Sequence, residues 1–164
     1  MRSFLSVVIA CTALLAAGCR YHLSGGGLPG DIKSVAIIPF DNETASPDLQ
    51  RELNEALRNN FASKLGLKEA GEDKASAVVR GRIVRYELDV ATAFSANPAQ
   101  ATSSRRQLQV AVHVEIFDQI RNKTLWTGDI VAIGDYPEGG ETSGRKQAID
   151  KIVTDVIQGA QSQW

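Results

Sequence analysis

The chain has 164 residues, of which 43% are hydrophobic, so it can form a buried core, and this argues against wholesale disorder. Its net charge is −1, which argues against general nucleic-acid binding because such proteins present a basic surface. Both cysteines, Cys11 and Cys19, lie near the start, so we expect no disulfide in the remainder of the chain.

Residues 1–18 have the layout of a secretory signal peptide. Arg2 gives a positive start, and an uncharged apolar run from Phe4 to Ala17 closes on small residues. A helix that spans a bilayer needs roughly 20 apolar residues, and this run is shorter. We therefore expect residues 1–18 to be removed during export.

Cys19 directly follows these small residues. Ala16-Ala17-Gly18-Cys19 resembles the lipobox of bacterial lipoproteins, although Ala16 occupies the position at which that pattern prefers leucine. The resemblance implies a diacylglycerol on the Cys19 thiol and an acyl chain on its amine. Each buried methylene contributes about 0.8 kcal/mol, so these chains would hold the domain at a membrane. The alternative is an exported protein with an unmodified cysteine.

The first elements of the mature chain are a tether, a strand and a helix. Residues 19–31 are polar and glycine-rich and are interpreted as the tether. The β-branched run Ile32–Phe40 predicts a strand that is buried on both faces. Ser46 followed by Pro47 is a helix start signal, and apolar residues at three- and four-residue spacing predict an amphipathic helix that ends near Gly66.

A long second strand is predicted over Ala77–Val90, after a charged, turn-like segment at residues 68–76. Its apolar side changes near Gly81, and this suggests a bulge or a twist there. Residues 91–104 are small and polar, contain Asn97-Pro98, and predict a loop.

Two further strands and a helix complete the chain. Residues 106–116 alternate between apolar and polar and predict a half-buried strand, which forms a hairpin with Thr124–Ile133. A second flexible loop is predicted over Gly134–Gly144, and a terminal amphipathic helix follows. Two such helices cover one face of a four-stranded mixed sheet, so residues 32–164 predict a single α/β two-layer sandwich of order β-α-β-β-β-α. The helical crossover requires the first two strands to be parallel.

No catalytic or metal-binding motif is present in the sequence. His22 and His113 are far apart and lack partners at ligand spacing, which argues against a metal site. No serine lies in a nucleophile elbow, and acylation of Cys19 would leave no thiol for chemistry. We therefore interpret the protein as a binding or scaffolding module, not an enzyme, with no cofactor other than the covalent lipid on Cys19.

Four stretches resemble the lipopolysaccharide-assembly lipoproteins, the LptE-like family: Cys19–Leu23, Leu28-Pro29, Ile32–Thr44 and Leu125-Trp126. Cys19–Leu23 is similar to the mature start of these proteins, Pro39–Thr44 to the turn that closes their first strand, and Leu125-Trp126 to their last strand. Arg20 departs from the family, which usually carries glycine there. The resemblance implies an outer-membrane lipoprotein, facing the periplasm, that plugs a β-barrel translocon and assists insertion of lipopolysaccharide into the outer leaflet. Its implied partners are the barrel and lipopolysaccharide.

Other lipoproteins remain as alternatives. Activators of cell-wall synthases and lipoproteins of a secretion channel also carry a Pro-Phe-x-Asn turn after their first strand, as Pro39–Asn42 does here. A structural lipoprotein of the envelope is a further alternative. Isolation of the membrane partner would separate these readings.

Strand directions predict that four basic residues meet at one end of the sheet, together with the N-terminus of the last helix: Arg105, Arg106, Arg145 and Lys146. Basic side chains and free amides suit an anionic glycolipid head group, and these residues are our candidate lipopolysaccharide contacts. The alternative is that they are ordinary solvated charges.

The sheet face without helices predicts a partner interface. Tyr86, Phe117 or Trp126 are candidate residues for this face. Arginines at 80, 82 and 85, together with strand glutamines, suit the polar wall of a barrel lumen.

Overall fold

The computed structural model describes residues 28–89 and 105–162. Cys19, the signal sequence, most of the tether and the loop at 91–104 lie outside these residues, so the predictions for them remain predictions. Within the described ranges the elements are β1 (Ser34–Ile37), β2 (Asp41–Asn42), α1 (Pro47–Leu65), β3 (Lys68–Glu69), β4 (Ala77–Leu88), β5 (Arg105–Asp118), β6 (Lys123–Pro137) and α2 (Glu141–Ser162).

The strands form one mixed sheet in the order β3-β1-β4-β5-β6, and β2 also pairs with β4. β1 and β4 are parallel, while β4, β5 and β6 are successively antiparallel. Both helices pack on the same face of this sheet. The predicted α/β two-layer class and the parallel crossover between the first two long strands are confirmed.

The described sheet has two more strands than the four that the sequence predicts. β2 pairs with β4 at Asp41 and Asn42, and β3 pairs with β1 at Lys68 and Glu69. Each has only two residues, which is too short for an apolar alternation to be visible in sequence. These short strands form because the folded chain places them beside the open backbone groups of β4 and β1.

The core lies between the sheet and the helices. On α1, Leu49, Leu53, Leu57 and Phe61 recur every four residues and are fully buried. Burial of each such side chain contributes about 1.5–3 kcal/mol. As predicted, the helix begins at Pro47 and is closed by Gly66, whose φ of 65° places it in the left-handed region that suits glycine.

The prediction of a flexible loop over Gly134–Gly144 is wrong. β6 continues to Pro137 and α2 begins at Glu141, so the connection is three residues long. Gly134 and Gly144 are a close contact between this strand and this helix, because a Cβ on Gly134 would lie 1.9 Å from the Gly144 carbonyl oxygen. The glycines that resemble loop residues therefore bring two backbones together.

The irregularity in β4 lies between Ile83 and Arg85 rather than at Gly81. The bulge leaves Val84 exposed and allows both Ile83 and Tyr86 to face the helices, although their spacing is odd. Glycine is needed at position 81 for a different reason, since a Cβ there would lie 2.2 Å from the His113 carbonyl oxygen and 2.8 Å from the Phe40 ring.

Two of the three aromatic residues predicted as candidates for the open face lie on the helix face. Tyr86 and Trp126 pack against the main core, and Trp126 lies directly over Gly159 of α2. Phe117 lies on the uncovered face, where the Arg80 guanidinium sits 5.5 Å from its ring centroid. The bulge in β4 explains the position of Tyr86. Trp126 has the same parity along β6 as Ile130 and Ala132, which are buried against the helices, and the register shift after Ile116 leaves only Leu125 without a pairing partner on β5.

Candidate functional site

The backbone places the four predicted cations at the same end of the sheet. Arg106 at the start of β5 pairs with Tyr136 near the end of β6, and Arg145 and Lys146 lie in the first two turns of α2, which follows directly. The backbone of Arg105 pairs with Pro137, but its side chain lies outside what the structure describes. We call this region the basic end.

Arg106 is a half-exposed cation with two carboxylate partners. Its Nη1 donates to Asp89 at 3.0 Å and its Nη2 to Glu138 at 3.2 Å. Both carboxylates are themselves exposed, and ion pairs of this kind contribute at most about 1 kcal/mol. Arg106 can therefore exchange either carboxylate for an external anion at low cost.

Lys146 is the most exposed described cation of the basic end. Its side chain is 75% exposed, and its Nζ donates to Asp150 one turn further along α2, at 2.8 Å. This is an ordinary i,i+4 helix pair, which contributes a few tenths of a kcal/mol. Lys146, like Arg106, is available to an anionic ligand.

Arg145 has a different environment. Its side chain is 13% exposed, and Nε and Nη2 donate to the two oxygens of Glu52 on α1 at 2.8 and 3.0 Å. Nη1 donates to Glu141 at 3.3 Å. The hydrogen bonds to Glu52 raise the pKa of Arg145, so it remains a cation. This two-pronged pair ties α2 to α1, and its geometry is that of a structural ion pair.

Tyr86 extends this network to the sheet. Its hydroxyl donates to Glu141 Oε1 at 2.5 Å. Burial, reinforced by the Glu141 carboxylate, raises the pKa of Tyr86 to about 12, so the phenol stays protonated and keeps donating. β4, α1 and α2 are therefore joined by one set of hydrogen bonds directly behind the basic end.

The uncovered sheet face carries polar cross-strand rows. In one row Arg80 donates to Glu115 at 2.9 Å, and this bond, with one from Thr124, holds the Glu115 pKa below its ordinary value. In the next row His113 Nδ1 lies 2.7 Å from Asp129. The polar groups of these rows therefore bond to one another across the strands.

No group of three or more His, Cys, Asp or Glu side chains among the described residues is arranged to hold a metal. His113, which the sequence assigns to the less apolar face of its strand, lies on the uncovered face beside Asp129. Neither described helix is long and apolar enough to cross a bilayer.

Asn42 and Thr44 build the turn into α1. The Asn42 Oδ1 accepts from the Thr44 backbone N–H at 3.0 Å and from its hydroxyl at 2.7 Å, while Nδ2 donates to the Ser46 carbonyl at 2.8 Å. The Ser46 N–H donates in turn to Thr44 Oγ1, whereas the Ser46 side chain makes no capping bond. These bonds hold the turn that leads from β2 into α1.

The sequence analysis missed Asp118, whose side chain is fully buried at the end of β5. It accepts from the backbone N–H groups of Ile120 and Arg121 and from the Arg121 guanidinium, which also bonds Asp31 at 2.9 Å. The available signal was an Asp at the head of a tight turn with Arg three residues later. This cluster fixes the chain entry at the end of the sheet opposite the basic end.

Comparison with protein families matches residues 32–160 to the family described as LptE, lipopolysaccharide-assembly. The chain belongs to this family. The match extends from before β1 to the last turn of α2, so it covers the whole described fold. The resemblance inferred from Cys19–Leu23, the Pro39–Thr44 turn and Leu125-Trp126 is therefore confirmed at the level of the family.

Solved structures share the fold at low sequence identity. The PelC dodecamer from Paraburkholderia phytofirmans is 16% identical, with a TM-score of 0.58 over 84% of this chain and 95% of that one. The hypothetical protein CT253 from Chlamydia trachomatis is 15% identical, with a TM-score of 0.54 over 78% and 97%. XCC0632 from Xanthomonas campestris is 7% identical, with a TM-score of 0.54 over 80% and 87%. No curated protein matches the chain.

Proposed function

We propose that this protein is an outer-membrane lipoprotein that occupies the lumen of a β-barrel translocon and assists the insertion of lipopolysaccharide into the outer leaflet. The observation that carries the proposal is the family match over residues 32–160, which spans every described element. The protein acts by binding and placement and catalyses no reaction.

The basic end supports a role in contact with lipopolysaccharide. Arg106 and Lys146 carry exposed charges whose present carboxylate partners are weakly held. Phosphate oxygens accept charge-assisted hydrogen bonds as carboxylates do, so they can replace partners that are held this weakly. Arg105 belongs to the same proposed contact, and Arg145 contributes by holding the start of α2 in place.

The uncovered sheet face supports a barrel lumen as the partner surface. Its cross-strand rows pair Arg80 with Glu115 and His113 with Asp129, so it offers both donors and acceptors. The lumen wall of an outer-membrane barrel is polar, and such a wall can form hydrogen bonds with these polar rows.

The lipid on Cys19 is the proposed membrane attachment. Three acyl chains bury enough methylene groups to make release from a bilayer very slow. Residues 20–27 then connect the anchor to Leu28, where the described fold begins.

Affinity purification of the full chain from detergent-solubilised outer membranes tests the proposed function. We expect a one-to-one complex with a large β-barrel protein, and mass spectrometry of that complex should show the added mass of the lipid on Cys19. Recovery of a cell-wall synthase or a secretion channel in place of the barrel would overturn the proposal. So would a soluble protein with an unmodified thiol.

A further inference from the structure

β6 is an edge strand whose outer side is open. It pairs with β5 along one side, and among residues 28–89 and 105–162 no strand pairs with the other side. Its register with β5 is continuous from Trp126 to Pro137. An uninterrupted edge presents rows of N–H and C=O groups to which another strand can bind.

A hydrogen bond from Asp135 identifies the backbone groups that face outward. The Asp135 N–H donates to Gln147 Oε1 of α2 at 2.7 Å, so it does not bond β5. Alternate residues of an antiparallel strand bond to the same neighbour, so Asp129, Val131 and Ile133 also direct their N–H and C=O groups to the outer side. Gln147 therefore occupies the Asp135 N–H, and the outward backbone groups of Asp129, Val131 and Ile133 are left open.

The side chains of the same residues lie on the uncovered sheet face. Val131 and Ile133 are 56% and 50% exposed, whereas Ile130 and Ala132 between them are buried. Asp129 and Asp135 flank the exposed pair, bonded to His113 and Gln107 respectively. The edge therefore presents, in order, a carboxylate, two apolar side chains and a second carboxylate, all on one face.

We propose that the Asp129–Asp135 edge of β6 binds an extended segment of another protein, which adds to the sheet as a further strand. The segment carries two apolar side chains at alternate positions opposite Val131 and Ile133. A lysine or arginine lies two positions before and two positions after this pair, opposite the carboxylates of Asp129 and Asp135. This site does not depend on the proposed role in lipopolysaccharide assembly.

The two carboxylates on the β6 edge favour a segment of another protein over a second copy of this chain as the occupant. The antiparallel register that sets Val131 against Ile133 of a second copy also sets Asp129 against Asp135 twice. Like charges directly across a strand pair are destabilising, whereas opposite charges stabilise it. A basic segment satisfies both carboxylates, so the favoured occupant is a different chain.

Titration of the ¹⁵N-labelled full chain with a blocked peptide, Ser-Lys-Thr-Val-Thr-Val-Thr-Lys-Ser, tests this site. We expect NMR shift changes and slowed amide exchange centred on Asp129, Val131 and Ile133, because these N–H groups gain hydrogen-bond partners. A matched peptide with glutamate in place of both lysines should bind about tenfold more weakly at low salt.

Variants of β6 distinguish backbone hydrogen bonding at the strand edge from a general electrostatic attraction of the peptide to the surface. Val131→Pro should abolish peptide binding and leave the fold intact, because it removes an outward N–H but no hydrogen bond to β5. Val131→Thr keeps that N–H and should therefore still bind the peptide. Asp129→Lys with Asp135→Lys should reverse the preference between the two peptides. Two exposed aspartates elsewhere provide the control, Asp48→Lys with Asp73→Lys, which should leave the preference unchanged.

Three results would overturn the proposal. The first is absence of peptide binding, or shift changes centred on α1 and α2 rather than on β6. The second is equal binding of the lysine and glutamate peptides. The third is a dimer of the full chain that Val131→Pro dissociates, since this would make a second copy the occupant.

Discussion

Arg145 and Lys146 are adjacent in sequence, yet one is 13% exposed and the other 75% exposed. A helix turns by about 100° per residue, so neighbours face different surroundings. Arg145 donates to Glu52 on α1, whereas Lys146 donates to Asp150 on its own helix. Arg145 therefore holds the two helices together, whereas Lys146 is the one of the two that we propose to contact lipopolysaccharide.

Substitution of the exposed cations should weaken lipopolysaccharide binding without affecting the fold. A triple serine variant removes three cations of the basic end: Arg105→Ser, Arg106→Ser and Lys146→Ser. We expect affinity to fall by about tenfold or more, since a charge-assisted hydrogen bond contributes about 1.5–3 kcal/mol. The measurement is binding of purified lipopolysaccharide at low and moderate salt.

The control for that experiment removes three exposed lysines at the other end of the sheet: Lys33→Ser, Lys64→Ser and Lys68→Ser. An equal loss of affinity in the control would show that net charge, not the basic end, governs binding. Arg145→Ser alone should instead lower the free energy of unfolding by about 1–3 kcal/mol, because Glu52 loses its partner.

The buried carboxylate of Asp118 should make stability depend on pH. Burial alone would raise its pKa, but hydrogen bonds from Arg121 and Ile120 outweigh burial and hold the pKa below its ordinary value. The stabilisation is therefore complete above the unfolded pKa of about 3.9 and is lost as the pH falls through the folded value. Asp118→Asn should lower the free energy of unfolding most at pH 7, and progressively less as the pH falls below about 4.

Denaturant unfolding of the protein and of Asp118→Asn, at pH 7 and again below about pH 4, measures this difference in stability. Asp48→Asn is the control, because its exposed ion pair with Arg51 contributes little at either pH. A cost of Asp118→Asn that is the same at both pH values would contradict a charged Asp118 in the folded state.

At the scale of elements, the contact between Gly134 of β6 and Gly144 of α2 sets the position of the basic end. Because neither residue has a side chain, the helix start lies directly on the strand, and Arg145 and Lys146 follow immediately. Any side chain on Gly134 would push α2 outward and disturb the bonds of Arg145 to Glu52.

Gly134→Ala should therefore destabilise the protein by about 1–3 kcal/mol, because the new methyl group overlaps backbone atoms that cannot rotate away. Thermal unfolding measures the loss. Gly30→Ala is the matched control, since a Cβ at Gly30 would meet nothing within 4 Å, and it should change stability little. Equal melting temperatures for Gly134→Ala and the unsubstituted protein would contradict the close contact.

Sequence periodicity predicted the long elements well because their apolar faces repeat locally. α1 was predicted from Ser46 to Gly66 and extends over Pro47–Leu65. The predictions that were wrong concern residues whose role depends on contacts with residues far away in the sequence. Gly134 and Gly81 resemble loop or bulge glycines until Gly144 and Phe40 come to lie against them.

The candidate site shows the same limit. Strand order alone was enough to place Arg106, Arg145 and Lys146 at one end of the sheet. It could not show that Arg145 pairs with Glu52, because the two residues are 93 positions apart. The surroundings of a side chain that depend on a second, distant element therefore could not be predicted from the sequence.

At the scale of the whole molecule, the chain entry and the basic end lie at opposite ends of the sheet. Asp31 is bonded to Arg121 at one end, whereas Arg106 lies at the start of β5 at the other. The 14 residues of β5 span about 45 Å between them. This is close to the thickness of a bilayer with its head groups, about 40–45 Å.

A domain anchored at the inner leaflet could therefore carry its basic end to the level of the outer leaflet, provided that it stands upright in a barrel. In sealed vesicles that contain the complex, a fluorophore on Glu138→Cys should be quenched by a water-soluble quencher added outside. A fluorophore on Lys33→Cys should be protected, because Lys33 lies at the end of the sheet to which the proposed lipid anchor leads. The reverse pattern, or equal quenching of both, would contradict the upright orientation, since a sheet lying along the membrane brings both ends to one depth.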